Sequence, residues 1–554
     1  MFKRRTLLIG LFATLAILLS VFAPAIAGEG REELAPMRDG VILAANVFLP
    51  EGDGPFPVVL IRTPYCKDRG KFEPDLTKKI VPEHHAKYAN LLEQGYAVVV
   101  QDCRGRYRSR GEYLPFMTDH ADGYDTVEWV AAQPWCTGKV GMMGGSAPGI
   151  TANLATISRP PHLACVVTTN SFGSQYHFMG YHGGVFRKNM TEGWLKAQDA
   201  LDFATIIKRH ENYDEFWASV DMANYYNQID VPMYIHTGWY DIFTQSNLDM
   251  FVNIQSRGQG LARGNQKLTI GPTGHGKISG DLAYPGAKSP EPDWQMRWFD
   301  YWLKGVENGI TEEPPVRYYL MGDTMDAEAP GNEWRTALGW PPASRPTPYY
   351  LHKGLSLSTT LPAETDSHSS YAYDPGNPVP TIGGNNLLLE KGPMDQRAVG
   401  ERDDILKFQT EPLKQAVEVV GKIDVELWAG SDAPDTDWMV KLIDVYPNGY
   451  EALVSEGALR ARFREGFDRQ VSMTPGETYK FTVDLWSTAL VFNKGHRIAV
   501  HVTSSNSPRF EPNPNTGEPY LSDAEPHIAH NTIYHDRGRP SRIILPVTKI
   551  CAGD

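Results

Sequence analysis

The spacing of hydrophobic positions changes about two-thirds of the way along this chain. From about residue 35 to 335, short apolar runs alternate with longer stretches that have the apolar spacing of helices. The runs 57–61 and 97–100 are continuous and β-branched, which predicts strands buried on both faces of a parallel sheet. Further strands are predicted at 140–143, 164–168, 233–237 and 268–270, with a covering helix at 87–94. This alternation of strands and helices predicts a doubly wound α/β domain.

From about residue 345 hydrophobic residues recur at every second position. Ile423, Val425 and Leu427 alternate with polar neighbours, as in strands with one buried face. We therefore predict a C-terminal all-β sandwich of the jelly-roll type. Residues 172–231 interrupt the strand–helix alternation and are rich in aromatics, as an inserted helical cap would be. The predicted organisation is a signal peptide (1–27), a doubly wound α/β domain in two parts (28–171 and 232–340), the cap between them (172–231) and the sandwich (341–554).

The N-terminus predicts export. A basic segment at Lys3 to Arg5 precedes an apolar run over residues 7–22 and an Ala25-Ile26-Ala27 cleavage signal. The alternative, a membrane anchor, is disfavoured because the run is shorter than the ~20 residues that usually span a bilayer. We expect a periplasmic or secreted protein with no membrane attachment after cleavage.

Composition excludes some classes of partner. The 53 basic and 66 acidic residues give a net charge of −13, and no basic stripe runs through the body of the chain, so nucleic acid is not an expected partner. No cysteine–histidine spacing suggests a metal, and no cofactor is implied. Whether the chain forms oligomers is left open.

The strongest chemical signal is the motif Gly144-Gly145-Ser146-Ala147-Pro148-Gly149, directly after a predicted strand. A nucleophilic serine on a sharp strand-to-helix turn needs small neighbours, since side chains would collide there. Pro148 fits the first turn of a helix, where a missing N–H costs little. Ala147 keeps its N–H, which can donate to an oxyanion.

An acid and a histidine follow the serine in the order expected of an α/β-hydrolase. Asp241 follows the strand at 233–237, and His275 follows the strand at 268–270. A helix cap and a surface imidazole are ordinary alternatives for either residue alone. Their joint order behind the serine motif instead predicts a Ser146–His275–Asp241 triad that transfers acyl groups through a covalent intermediate.

Several motifs together resemble the cocaine-esterase-like acyl hydrolases, relatives of X-Pro dipeptidyl-peptidases and α-amino-acid ester hydrolases. They include Arg62-Thr63-Pro64-Tyr65, Gln101-Asp102-Cys103-Arg104-Gly105-Arg106, Gly238-Trp239-Tyr240-Asp241 and Ser431-Asp432-Ala433-Pro434-Asp435-Thr436-Asp437. The resemblance spans nearly the whole mature chain and implies that the Tyr65 phenol joins the Ala147 N–H in the oxyanion hole. Asp102, Arg104 and Arg106 are expected to form a structural ion-pair network below the serine turn.

The predicted function is hydrolysis of carboxylic esters of small molecules. An amidase, such as a β-lactam side-chain acylase, would use the same triad and is left open, as is an X-Pro dipeptidyl-peptidase. The relatives that hydrolyse amino-acid esters carry carboxylates just after the triad aspartate, whereas Ile242-Phe243-Thr244 offers none. A sandwich that binds carbohydrate beside a vestigial triad is a further alternative, which the complete triad disfavours. Aromatic residues predicted for the substrate pocket are Phe172, Tyr176, Phe178, Trp239 and Phe243.

Cysteine positions suggest two disulfides. Cys66 and Cys103 each follow the carboxyl end of neighbouring predicted strands, while Cys136 and Cys165 lie at the starts of two others. We therefore expect Cys66–Cys103 and Cys136–Cys165 bridges with Cys551 unpaired; five reduced thiols are the alternative.

Overall fold

The computed structural model describes residues 30–68 and 85–551, with the side chains of 85–87, 550 and 551 left out. The predicted signal peptide therefore lies outside the described residues. A twisted sheet of ten described strands forms the first layer, in the order β1-β2-β4-β3-β5-β6-β9-β10-β11-β12. Its strands are β1 (Arg31–Pro36), β2 (Ile42–Phe48), β3 (Phe56–Thr63), β4 (Ala97–Asp102), β5 (Cys136–Gly145), β6 (Leu163–Thr169), β9 (Met233–Tyr240), β10 (Lys267–Gly274), β11 (Val316–Leu320) and β12 (Glu333–Ala337).

The sheet is parallel from β4 to β11 and antiparallel at both edges. The helices are α1 (His85–Glu93), α2 (Asp119–Ala131), α3 (Ala147–Ala155), α4 (Lys188–Ala197), α5 (Phe203–Arg209), α6 (Glu215–Ala218), α7 (Thr244–Arg257) and α8 (Trp294–Phe299). Strand β3 shows why the run at residues 57–61 is continuously apolar. Val58 and Leu60 pack into one core, whereas Val59 and Ile61 pack into another on the opposite face. Both faces are covered, as the pattern predicted.

The predicted cap is less regular than its sequence suggested. Between β6 and β9 the chain forms a π-helical turn at Tyr176–Gly180, a small hairpin of β7 (Tyr181–His182) and β8 (Val185–Phe186), and the short helices α4 to α6. Within the described residues, no helix is long and apolar enough to cross a membrane.

The second layer is a β sandwich, which confirms the predicted α/β plus β-sandwich class together with the first sheet. Its strands are β13 (Arg345–His352), β14 (Ser356–Ser358), β15 (His368–Tyr373), β16 (Leu406–Gln409), β17 (Ala416–Ser431), β18 (Asp437–Val445), β19 (Glu451–Arg460), β20 (Tyr479–Phe492), β21 (Arg497–Thr503), β22 (Ala529–Tyr534) and β23 (Arg542–Cys551). Nearly all pairings are antiparallel, and buried residues alternate along the middle of β17, as the period-two pattern predicted.

The two predicted disulfides are wrong in this structure, because Cys103, Cys136 and Cys165 are free thiols. Cys165 pairs in register with Gly141, five residues beyond Cys136 on β5, which corresponds to about 16 Å along a strand. The two thiols also belong to cores on opposite faces of the sheet. Burial and the nearby Asp119 carboxylate raise the pKa of the Cys103 thiol well above its ordinary value. The side chain of Cys551 lies outside the described residues.

Candidate active site

Ser146 occupies a strained turn between β5 and α3. Its φ of 58° and ψ of −131° lie outside the regions that non-glycine residues usually adopt. The Ser146 N–H donates to the Thr169 carbonyl at 2.9 Å, which ties the turn to the end of β6. A Cβ on Gly144 would lie 2.2 Å from the carbonyl carbon of Pro148, so only glycine fits there, whereas a Cβ on Gly145 would make only an ordinary contact with Thr169 at 3.8 Å. The backbone thus holds the serine side chain at the carboxyl edge of the parallel sheet.

Asp241 and His275 lie at the same edge, just after β9 and β10. The His275 Nδ1 is 2.7 Å from the Asp241 Oδ2, and the aspartate side chain is fully buried. Its other oxygen accepts the Phe243 N–H at 2.8 Å. The two strand ends approach closely because Gly238 carries no side chain: a Cβ there would lie 2.2 Å from a carbonyl oxygen of β10. A buried, fully bonded carboxylate fixes the orientation of the imidazole beside it.

Tyr65 reaches the serine from the end of β3. Its phenol accepts the Trp194 indole N–H at 2.8 Å and lies close to the Ser146 side chain. Although 38% of the residue is exposed, burial of the phenol raises the pKa of Tyr65, so the group is a neutral hydrogen-bond donor. Ala147 is the first residue of α3, so its N–H has no acceptor within the helix. Two neutral donors therefore lie beside the serine oxygen.

A narrow cavity beside Ser146 has apolar walls. Among the described residues, no ionisable side chain lines it. Its lining residues are Phe116, Ser146, Ala147, Ile150, Phe172, Met179, Met190, Trp194, Phe243 and Leu387. Phe243 connects this cavity to His275, because its ring contacts the Phe172 ring at 4.9 Å and the imidazole at 5.8 Å.

Only two of the five aromatic residues predicted for the pocket, Phe172 and Phe243, line this cavity. Tyr176 is fully buried among other cap aromatics, and its hydroxyl donates to a backbone carbonyl. Trp239 packs against Trp340 below the site and donates its indole N–H to the Tyr319 carbonyl. Phe178 faces a different cavity. These three side chains do not line the serine cavity, because aromatic residues near a strand end more often complete the core than contact substrate.

Sequence reasoning missed a contribution from the segment that precedes most of the sandwich. Asn385, which is 3% exposed, donates its side-chain amide to the carbonyls of Trp239 (3.0 Å) and Asp241 (2.8 Å). Leu387, two residues on, enters the serine cavity. The Pro- and Gly-rich composition of this part of the chain carries no signal of the contact.

The charged cluster below the serine turn is structural, but its partners differ from those expected. Arg104 does form ion pairs, at 2.6 Å to Asp122 and 2.7 Å to Asp39. Asp102 accepts backbone N–H groups, and burial raises its pKa to about 7. Arg106 donates to the carbonyls of Pro64 and Gln198. The cluster holds the loop that carries Tyr65.

Two family models match the chain. The model described as X-Pro dipeptidyl-peptidase (S15 family) matches residues 39–203 and 190–277. The model described as X-Pro dipeptidyl-peptidase C-terminal non-catalytic domain matches residues 308–544. Together they cover most of both layers of the fold.

Individual proteins match over almost the full length. Cocaine esterase from Rhodococcus sp. (strain MB1 Bresler) is 32% identical over 587 residues, which cover 93% of this chain and 98% of that protein. An aminopeptidase structure from a marine-sediment Thaumarchaeota archaeon has a TM-score of 0.79 at 26% identity and covers 97% of this chain and 99% of its own. An α-amino-acid ester hydrolase structure has a TM-score of 0.78 at 26% identity and covers 97% of this chain and 100% of its own.

Proposed function

This chain belongs to the cocaine-esterase-like family, related to the X-Pro dipeptidyl-peptidases, and is a serine ester hydrolase, and on that premise we propose that it cleaves carboxylic esters of small molecules through an acyl-enzyme on Ser146. The observation that carries the proposal is the contact of 2.7 Å between His275 and the buried Asp241, at the same sheet edge as Ser146 on a turn strained to a φ of 58°. Such a turn presents the nucleophile and a neutral donor to the same carbonyl.

In the proposed mechanism His275 takes the proton of Ser146 as the oxygen attacks the ester carbonyl. Asp241, bound to Nδ1 at 2.7 Å, leaves Nε2 as the nitrogen that exchanges the proton and stabilises the imidazolium that forms. The Tyr65 hydroxyl and the Ala147 N–H donate to the oxyanion of the tetrahedral intermediate. His275 then protonates the leaving alcohol, and water hydrolyses the acyl-enzyme by the same steps in reverse.

The apolar cavity supports an ester of an uncharged, hydrophobic acid. Since no ionised group lines the described part of this cavity, it offers no anchor for the free ammonium of a peptide N-terminus. An amide substrate would need only protonation of an amine instead of an alcohol. We therefore place esters first, with amidase and X-Pro dipeptidyl-peptidase activity as alternatives that assays separate.

The test compares p-nitrophenyl butyrate, butyryl p-nitroanilide and Ala-Pro p-nitroanilide on the mature chain. We expect the ester to be hydrolysed with a kcat/KM at least 100-fold above either anilide. Ser146→Ala should abolish turnover of the ester without changing the thermal unfolding midpoint. Faster cleavage of Ala-Pro p-nitroanilide than of the ester would instead assign a peptidase, and residual turnover within tenfold of wild type in Ser146→Ala would exclude the serine mechanism.

The proposal extends to the organisation of the chain. The first sheet ends at Ala337 and the second begins at Arg345, which supports a boundary near residues 340–341. A jelly-roll topology for the sandwich, a cap at 172–231 and export after cleavage of residues 1–27 stay predictions. N-terminal sequencing of the exported protein should find a chain that begins at residue 28.

A further inference from the structure

A second cavity lies on the other side of the π-helical turn at Tyr176–Gly180. Met179 of this turn lines the serine cavity, whereas the neighbouring Phe178 lines the second one. The second cavity has a volume of about 360 Å³ and shares no lining residue with the first. Its walls come from the cap, from α7 and from strands β17, β19 and β20 of the sandwich.

Three carboxylates from three separate elements face this cavity. They belong to Asp249 of α7, Asp424 of β17 and Asp484 of β20. Asp424 and Asp484 stand directly opposite each other in the β17–β20 register, where like charges destabilise a sheet. The only lysine among the lining residues is Lys422, whose Nζ is 3.0 Å from Asp484. The single ammonium of Lys422 thus balances only one of the three carboxylates, and two negative charges remain in excess among the lining residues.

Two further polar side chains of the lining, those of Gln245 and His182, are uncharged. Gln245 is 7% exposed and donates its amide to Asp249 at 2.8 Å, which leaves its Oε1 without a hydrogen-bond partner in the described part of the chain. Burial, together with nearby Arg187 and Arg509, holds the pKa of His182 far below its ordinary value, so that ring is neutral. Burial raises the pKa of Asp249 to about 6 and also raises that of Asp424. The cavity therefore has acceptors and negative charge but few donors.

Aromatic rings form the rest of the wall. The His182 ring stacks on Trp486 at 4.8 Å, and Phe178 packs against the same indole at 5.7 Å. Phe467 and His177 face the cavity from the opposite side and contact each other at 5.1 Å. Faces of aromatic rings attract cations, and carboxylates give an ammonium its strongest hydrogen bonds. Arg187 lies behind Trp486 at 5.8 Å and supports that ring without entering the lining.

We propose that this second cavity binds a small organic molecule that carries a primary ammonium group. Such a group brings positive charge and three N–H donors to a space with two carboxylates in excess over its one ammonium, and Asp249, Asp424 and Gln245 can accept from it. The aromatic wall would take the apolar part of the molecule. A divalent cation fits less well, since no group of histidine, cysteine and acidic side chains in the described residues is arranged to hold a metal ion.

The test measures binding of benzylamine to the full chain by isothermal titration calorimetry at pH 7.5. Benzyl alcohol has nearly the same shape without the charge, and benzyltrimethylammonium has the charge without N–H donors. We expect benzylamine to bind at least tenfold more tightly than the alcohol and at least fivefold more tightly than the quaternary ammonium. Equal affinity for benzylamine and either analogue would overturn the proposal.

Variants locate the site. Asp249→Asn keeps the size of the side chain and should weaken benzylamine binding at least tenfold. Gln245→Met removes the amide and keeps a side chain of similar length. It should weaken benzylamine binding about fivefold, because one hydrogen bond contributes about 1 kcal/mol. Glu307→Gln removes an exposed carboxylate outside the cavity and should bind as wild type does. Wild-type affinity in both cavity variants, or displacement of benzylamine by calcium at equal concentration, would refute the assignment.

Discussion

Removing the hydroxyl of Tyr65 tests the proposed oxyanion hole most directly. The phenol is held in place by the Trp194 indole at 2.8 Å, so it needs little reorganisation when charge develops on the substrate oxygen. Loss of one pre-organised donor costs about 2.7–4 kcal/mol of transition-state stabilisation, or roughly 100- to 1000-fold in kcat. We therefore expect Tyr65→Phe to lower kcat by this factor and to leave KM within about threefold, because the donor acts on the transition state.

The assay follows release of nitrophenolate from p-nitrophenyl butyrate and separates kcat from KM. Trp194→Phe is the matched control: it keeps a ring against Phe116, whose ring stacks on Trp194 at 5.3 Å, but removes the donor to Tyr65. Loss of that single neutral hydrogen bond, about 1 kcal/mol, should lower kcat only about fivefold. The reasoning fails if Tyr65→Phe changes kcat less than threefold, or if both variants lose the same factor.

Three further changes test the supports of the two cavities. Asn385→Ala removes two buried donors and should lower the free energy of unfolding by about 2–3 kcal/mol and kcat at least tenfold, measured by urea unfolding and ester hydrolysis; unchanged kcat would contradict a positioning role. Gly144→Ala should abolish activity because its Cβ would meet backbone at 2.2 Å, whereas Gly145→Ala, with its nearest atom at 3.8 Å, should retain it. The pKa of Asp249 in the folded protein, about 6, is above its ordinary value, so ionisation of this carboxylate destabilises the fold. The destabilisation is absent below about pH 4, where the carboxyl is protonated, and complete above about pH 6. Asp249→Asn should therefore raise the unfolding free energy at pH 8 by about 1–3 kcal/mol and leave it unchanged at pH 4, and equal stability of both proteins at pH 8 would contradict the shift.

Local patterns predicted the parts of the fold that local physics determines. Continuous apolar runs placed the parallel strands because a strand covered on both faces has no polar side to alternate with. The serine turn was predictable from Gly144 and Ser146, since only small residues tolerate so tight a turn. The order of Asp241 and His275 followed from the rule that catalytic loops leave the carboxyl ends of parallel strands. The family, the fold class and the ester hydrolase function are confirmed on this basis, whereas the roles of the individual site residues stay proposals.

The incorrect predictions concerned contacts between segments far apart in sequence. Both disulfides were inferred from strand neighbours alone, but side chains on neighbouring strands can face opposite sides of a sheet, as Cys136 and Cys165 do. The pocket aromatics failed for a related reason. Tyr176 and Trp239 are near the site in sequence, yet they pack against partners in the cap (Trp217) and in the segment after β12 (Trp340). The hydrophobic pattern of a sequence does not show which distant part of the chain a side chain will contact.

Both cavities depend on the same junction between the α/β layer and the sandwich. From one stretch of chain, Asn385 binds the Asp241 loop and Leu387 lines the serine cavity, and Asp424 and Asp484 line the second cavity from β17 and β20. The α/β layer alone would therefore lack the support of the Asp241 loop and one wall of the substrate cavity. A sandwich that supplies these contacts is part of the catalytic unit, so we expect the α/β layer to be inactive when it is separated from the sandwich, even if the triad residues are all present.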